Sequence, residues 1–380
     1  MDFAVTDDQQ EILRSIDRFM ERHFPPEMVR RLDREHEFPA HLLKGFGDLG
    51  ILAVPFPESH GGLGGDWQTV VLIQERLGYH SAIAAALYSI TVDFGGMTLM
   101  TAGSERQKAE LLPRLIAGEA QFCLALTEPE AGTDAAAMRT SATRTATGWR
   151  VRGRKTWISC ADTASFIVTP CRTEPGSKGK KGITMLMIPR EAAGIHMTRL
   201  PKVGNNSLTS WDIAFDDVEV PADAVIGEVG DGFRVLMSTL QYSRSGQASN
   251  AIGQAQAAID LALSHARERQ QFGAPLSQFQ VLRHKLVDMQ MRVDQARLSL
   301  YHLAWLISTG RPCRRDSAAV KVLGSEALQF VADHGMQIMA SAGYAAESDM
   351  NRYWRDGRLY TFGEGTNEMQ RDLIAREMGL

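Results

Sequence analysis

The chain has 380 residues, with 41 Lys and Arg against 45 Asp and Glu, a formal net charge of −4 and a pI near 6.2. That length allows two or three domains or one large multilayer domain with ample core. The charge balance gives no electrostatic reason to expect nucleic acid or an anionic membrane as partner.

Taken in chain order, the opening "MDFAVTDDQQ" is acidic and carries no signal-peptide pattern. Thr6 with Gln9 predicts a capping box, and Ile12, Leu13, Ile16, Phe19 and Met20 recur at helical spacing until Pro25 and Pro26 stop them. Further helices are expected over Ala40–Leu49, Gln68–Leu77, Ser81–Thr101 and Glu105–Ala117, each ended by a glycine. The apolar window Ser81–Met100 is long enough to span a bilayer, but Asp93, paired glycines and hydroxyls within it favour a buried helix. "SHGGLGGDW" lacks the Gly-Lys-Ser/Thr of a phosphate loop and reads as a structural turn.

From about Gln121 to Gly230 the helical period gives way to short alternating or β-branched runs. "WRVRGRKTWIS", "SFIVTPCR", "ITMLMIP" and "SWDIAFDDVEVP" are the strand candidates, with "EPGSKGKKG" a hydrophilic hairpin tip. After "GEVGDGF" the 3.6 period returns, predicting helices over Phe233–Gln270, Ser277–Thr309, Arg315–Ala342 and Thr366–Met378. The expected fold class is therefore α+β, with helices over 1–120, a β domain over 121–230 and a helical bundle over 231–380. Cys123, Cys160, Cys171 and Cys313 are far apart with no C-x-x-C pair. They read as free thiols of a reducing, cytoplasmic protein, with no disulfide framework and no metal site.

Four stretches could carry chemistry. In "RDGRLYTFGEGTNEMQRD" Glu364 stands between Gly363 and Gly365. It is either the acidic start of a tail helix or a carboxylate at a ligand, desolvated by Leu359, Tyr360 and Phe362 into a base. "LALTEPEAGTD" (Leu124–Asp134) ends a strand in a turn whose amides and hydroxyls suit a planar heterocycle. Trp157 in "KTWIS" is either core or a cover for a ring face. "RERQQFGAPLSQFQ" (Arg267–Gln280) closes a helix with Arg and Gln, which suits a phosphate, a neighbouring subunit or a plain polar terminus.

The ordered set "LTEPEAGTD", "KTWIS", "FDDVEVP", "GDGF", "RQQFGAPLSQFQ" and "RDGRLYTFGEGTNEMQR" resembles the acyl-CoA dehydrogenase family over nearly the whole chain. The resemblance implies an N-terminal helical domain, a middle β-sandwich or barrel domain and a C-terminal four-helix bundle. It also implies FAD, a homotetramer with flavins shared between subunits, and a role in fatty acid metabolism. Glu364 matches the base that removes a proton α to the thioester carbonyl while a hydride leaves the β carbon for flavin N5, giving a trans-2-enoyl thioester. The backbone N–H of the base would then serve the enolate oxygen, which Gly363 and Gly365 permit.

By motif, Leu126, Thr127 and Thr133 match the turn at the flavin, with Thr133 also near the thioester arm. Trp157 and Ser159 match the pair at the ring and near N5. Arg269, Phe272, Gln280, Gln337 and Ser341 match the surroundings of the ADP half of a neighbour's FAD, and Thr366 and Glu368 the loop after the base. Arg244 and Gly365 match positions along the acyl-CoA path, Arg244 being equally readable as half of a structural ion pair. Four positions depart from the pattern. Gly363 replaces a frequent Tyr, implying room for a branched, cyclic or bulky acyl group. Ala340-Ser341-Ala342 replaces a Gly-Gly stretch near the adenine, Glu130 replaces a Gly, and Ser243 stands where some members carry an alternative base.

The resemblance implies electron-transferring flavoprotein as acceptor. It leaves open an acyl group on a carrier protein in place of acyl-CoA, and oxidase or monooxygenase chemistry on the same scaffold. A non-catalytic nucleic-acid-binding relative is disfavoured by the net charge of −4 and by an end at Leu380, directly after the tail helix.

Overall fold

The computed structural model describes residues 4–380. Thr6 and Gln9 form the capping box that starts α1 (Asp7–His23). Pro25 and Pro26 end it as expected, but Pro26 also opens α2 (Pro26–Glu35), which the sequence reading did not contain. Proline is at home at a first helical position, where its missing N–H has no partner to lose.

α3 (His41–Asp48), α4 (Trp67–His80), α5 (Ala82–Ser89), α6 (Met97–Ala102) and α7 (Glu105–Ile116) follow. Asp66, from the glycine-rich turn, caps α4 by accepting the Thr69 N–H at 2.8 Å. The helix expected over Ser81–Thr101 is continuous but widens into a π-helical stretch, Ile90–Gly96, between α5 and α6. Among the described residues, Ala82–Ala102 is the one segment long and apolar enough to cross a membrane, and most of it is packed inside the protein.

The middle of the chain forms β1 (Phe122–Leu124), β2 (Ser141–Arg144), β3 (Gly148–Ser159), β4 (Phe166–Arg172), β5 (Ile183–Pro189), β6 (Ile195–Arg199), β7 (Ser210–Pro221) and β8 (Val225–Ile226). The order is β6-β7-β3-β2-β4-β5-β8, with β1 lying parallel beside β4. The four long strands are those the alternation predicts, and β4 and β5 form the hairpin around residues 173–182. The short strands went unread because two to five residues carry too little pattern. The sheet closes around its own core, which includes Trp149, Val151, Ile167, Leu186, Ile213 and Phe215.

Val168, Met185 and Met187 instead belong to a larger core that joins the N-terminal helices to the long C-terminal ones. Those are α8 (Gly232–Glu268), α9 (Gln280–Ser308) and α10 (Arg314–Met339), joined by α11 (Ser341–Tyr344), α12 (Asp349–Gly357) and α13 (Asn367–Glu377). A short hairpin of β9 (Gln270–Gln271) and β10 (Ala274–Pro275) links α8 to α9. At Gly78 a side chain would collide with the backbone of Asn250, so α4 lies against α8 almost backbone to backbone.

The "RDGR" stretch ties all three layers together. Arg355 donates to Asp33 on α2 at 2.7 Å and to Val203 O at 3.0 Å. Asp356, buried, accepts the Asn205 N–H. The loop after β6 is thereby held against the helix that leads into Glu364.

Candidate active site

Glu364 lies between α12 and α13, in the turn after the 3-10 segment Arg358–Thr361. Thr366, not Glu364, caps α13, accepting the Met369 N–H at 3.3 Å. The carboxylate instead points at α8, where buried Ser243 donates to it at 2.8 Å. Burial raises the Glu364 carboxyl above its ordinary range, while the Ser243 hydroxyl, Arg244 and Lys321 pull it back down. Of the three expected apolar neighbours only Tyr360 is buried, its hydroxyl held by Gln254 at 2.8 Å, whereas Leu359 and Phe362 are exposed.

The backbone here is strained at Glu364 itself, with φ +56°, a left-handed conformation that costs a non-glycine residue about 1–2 kcal/mol. Gly365 follows at φ +90°, where glycine is free of that penalty. Among the described residues the Glu364 N–H has no acceptor. The turn is clamped from below by Lys321, which donates to Gly365 O at 2.8 Å and Asn367 Oδ1 at 2.9 Å, and by Gln370, which donates to Glu364 O at 3.2 Å. Lys321 is buried on α10, and that burial lowers its pKa to about 8. The sequence reading missed it, although a lone lysine in the apolar run "SAAVKVLG" was a visible signal.

Arg244 is nine-tenths buried one residue beyond Ser243. Among the described residues it makes no ion pair and its Nε has no hydrogen-bond partner, so no structural pair accounts for it. Asp93, in the π-helical stretch, is fully buried and accepts from Gln74 at 2.8 and 3.0 Å and from Ser89 at 2.6 Å. Burial pushes its carboxyl far up, and the charge of Glu364 adds to that.

On the β side, Leu126 and Thr127 are partly buried and Thr133 is exposed on its turn. They are held by a buried ion pair that sequence reasoning missed: Lys155 donates to Glu128 at 2.9 Å and to Leu126 O at 3.0 Å. Glu128 also accepts the N–H groups of Arg139 and Thr140; the charge of Lys155 and these bonds keep its carboxyl low despite burial. Trp157 is 56% exposed with φ +61°, at a register shift in the β3–β7 pairing, and Ser159 lies two residues on, partly buried. An indole held in a strained bulge with its ring outside the core is a platform for a flat ligand, and this edge fits the isoalloxazine ring of FAD.

Five of the predicted residues lie exposed around the ends of the long helices. Arg269, Phe272 and Gln280 are exposed around the β9–β10 hairpin, with Phe272 95% exposed at φ +52°. By the helical rise this end of α8 is about 39 Å from Ser243. Gln337, near the end of α10, and Ser341 are exposed as well, and Glu368 lies exposed on the first turn of α13. Between Gln337 and Ser341, Ala340 adopts φ +51°, ψ −129°, a conformation made for glycine. The Ala340–Ala342 departure therefore registers as backbone strain.

Comparison with known proteins agrees with this layout. Profiles of the acyl-CoA dehydrogenase N-terminal, middle and C-terminal domains match residues 6–119, 123–218 and 230–379. The chain is 35% identical to the probable acyl-CoA dehydrogenase YngJ of Bacillus subtilis, over all of both chains. It is 32% identical to the caffeyl-CoA reductase-Etf complex subunit CarC of Acetobacterium woodii, over 97% of each. The solved butyryl-CoA dehydrogenase of Megasphaera elsdenii superposes with a TM-score of 0.96 at 33% identity, over the full length of both. With three layers in the same order and all three domain profiles matched, the chain belongs to the acyl-CoA dehydrogenase family of FAD-dependent oxidoreductases.

Proposed function

We propose that the protein converts an acyl-CoA thioester to its trans-2-enoyl-CoA, with Glu364 as the base for the α proton. The observation that carries this reading is the carboxylate of Glu364, partly buried, turned onto α8 and hydrogen-bonded by Ser243 at 2.8 Å. Burial raises its basicity while the Ser243 bond favours its ionised form, opposing influences of the kind that tune a general base. Its own N–H, presented by the strained turn, is a donor for the thioester oxygen as negative charge develops there. Bound FAD supplies the acceptor for the hydride leaving the β carbon. Leu126, Thr127, Trp157 and Ser159 present the ring edge, Thr133 and Gly365 border the thioester arm, and Thr366 and Glu368 shape the loop beside the ring. Arg244, buried and unpaired, lends positive charge to the base and the acyl path.

Self-association is part of this reading. The residues matched to the ADP half, Arg269, Phe272, Gln280, Gln337 and Ser341, lie exposed and away from Glu364, which suits flavins shared between subunits of a homotetramer. Val287, Met291 and Leu298 add an exposed apolar stripe on one side of α9. An electron-transferring flavoprotein is the proposed acceptor, in keeping with the name of the CarC relative. Four buried free cysteines are in keeping with a reducing, cytoplasmic setting.

Anaerobic titration of the purified flavoprotein with acyl-CoAs tests the reaction. The expected result is bleaching of the flavin band by at least one acyl-CoA, slowed by ~100-fold or more in Glu364→Gln. Full activity in that variant would remove Glu364 from the role. Bleaching by a carrier-bound acyl group alone would replace CoA as the substrate carrier.

A further inference from the structure

The face of α8 that presents Ser243 to Glu364 continues through Gln247, Asn250 and Gln254, at spacings of four, three and four residues. Gln247 therefore lies one turn, about 5.4 Å, beyond the residue that holds the base. It also lies at the base loop: its Nε2 is 3.0 Å from where a side chain at Gly363 would begin. Neither end of its amide has a hydrogen-bond partner among the described residues, and its Oε1 is buried. On the neighbouring turn position no side chain fits at Gly246, because the buried Asp93 carboxyl and Ser89 occupy that space.

A buried amide oxygen without a partner costs about 1–3 kcal/mol, which a hydrocarbon chain against it would not recover. Of the eight such unpaired atoms among the described residues, four lie on side chains linked to this region: Gln74 Oε1 through Asp93, Gln247 Oε1 and Gln370 Oε1 through the Glu364 loop, and Arg244 Nε through its charge on Glu364. A charged acyl tail is opposed from either side. A carboxylate would meet Glu364, and an ammonium would meet Arg244 and Lys321, whose charges already act on that carboxyl. A neutral group that both donates and accepts meets neither conflict.

We propose that the acyl pocket of this enzyme selects an acyl chain carrying a hydroxyl about one helical turn beyond the reacting carbons, with Gln247 as the specificity-determining residue. The glycine at 363 leaves the space into which both the Gln247 amide and that hydroxyl reach. This assignment rests on the dehydrogenase reading above.

The test compares δ- and ε-hydroxyhexanoyl-CoA, whose hydroxyls reach out towards that distance, with hexanoyl-CoA in wild type and in Gln247→Met, which keeps the side-chain length and removes its hydrogen bonding. The expected result is a wild-type kcat/KM at least about tenfold higher for one hydroxyacyl thioester, a ratio that falls towards one in Q247M. Calorimetric affinities of the wild-type enzyme for the matching enoyl-CoA products, hydroxylated and plain, read the same preference without turnover or a variant. Equal use and equal binding of plain and hydroxylated chains, or a preference that survives Q247M, overturns the assignment and leaves the dehydrogenase reading standing. A bound flavin that none of the tested thioesters bleaches overturns both.

Discussion

Glu364 and Ser243 form a pair whose meaning lies in the direction of one hydrogen bond. Ser243 stands where a second carboxylate would compete for the proton; as a donor it stabilises the ionised form of the first. Its bond lowers a carboxyl that burial raises, so removing it lets the burial effect prevail. In the proposed role Glu364 works ionised, and activity is lost as pH falls through its pKa. Ser243→Ala is therefore expected to move the acidic limb of the kcat/KM profile to higher pH, read from initial rates between pH 5 and 9. An unmoved limb would mean that this hydroxyl does not tune the base.

At the scale of elements, the Glu364 turn is held by partners from three helices. Ser243 on α8 fixes the carboxylate, Lys321 on α10 fixes Gly365, and Gln370 on α13 returns to the Glu364 carbonyl. Such over-determination is what lets a glutamate persist at φ +56°. Ala340 is the contrasting case. It ends α10 at φ +51°, and the backbone hydrogen bonds that surround it neither need nor repay a methyl group. Ala340→Gly should raise stability by about 1 kcal/mol by relieving that strain, partly offset by the greater freedom of glycine in the unfolded chain. Denaturant melts of the two proteins measure it, and a destabilised variant would show the strain to be absent in solution.

For the whole molecule, the tie between layers is Asp356, whose burial raises its pKa to about 6 from an ordinary 3.8. A carboxyl raised in the folded state holds its proton there while the unfolded chain has released it. Between about pH 4 and pH 6 the folded state thus binds more protons, and this group's contribution to stability falls as pH rises. Each unit of such a difference corresponds to about 1.4 kcal/mol. Asp356→Asn keeps an oxygen for the Asn205 N–H and cannot titrate. Its stability should fall less steeply than wild type over that window, the gap between the two curves narrowing as pH drops to 4. Parallel curves in urea melts at pH 4, 5, 6 and 7 would contradict the assignment.

Much of this protein was legible in one dimension because local signals act locally. The Thr6 and Gln9 cap, the period of α8 to α10 and the alternation of β3 to β5 and β7 each depend on residues a few positions apart. The family motifs likewise mark Glu364, Thr127 and Trp157 by their neighbours in sequence. What folding decided were relations between distant residues. Ser243 meets Glu364 across 121 positions, Lys321 reaches Gly365 across 44, and Lys155 finds Glu128 across 27. The unpaired amide of Gln247 has no sequence signal at all, since a glutamine on a long helix reads as solvent-facing until another loop covers it. Periodicity and capping are short-range properties, so sequence alone determined the layers and their order. The charge state of Glu364 and the polarity of its surroundings depend on burial, which exists only once those layers pack.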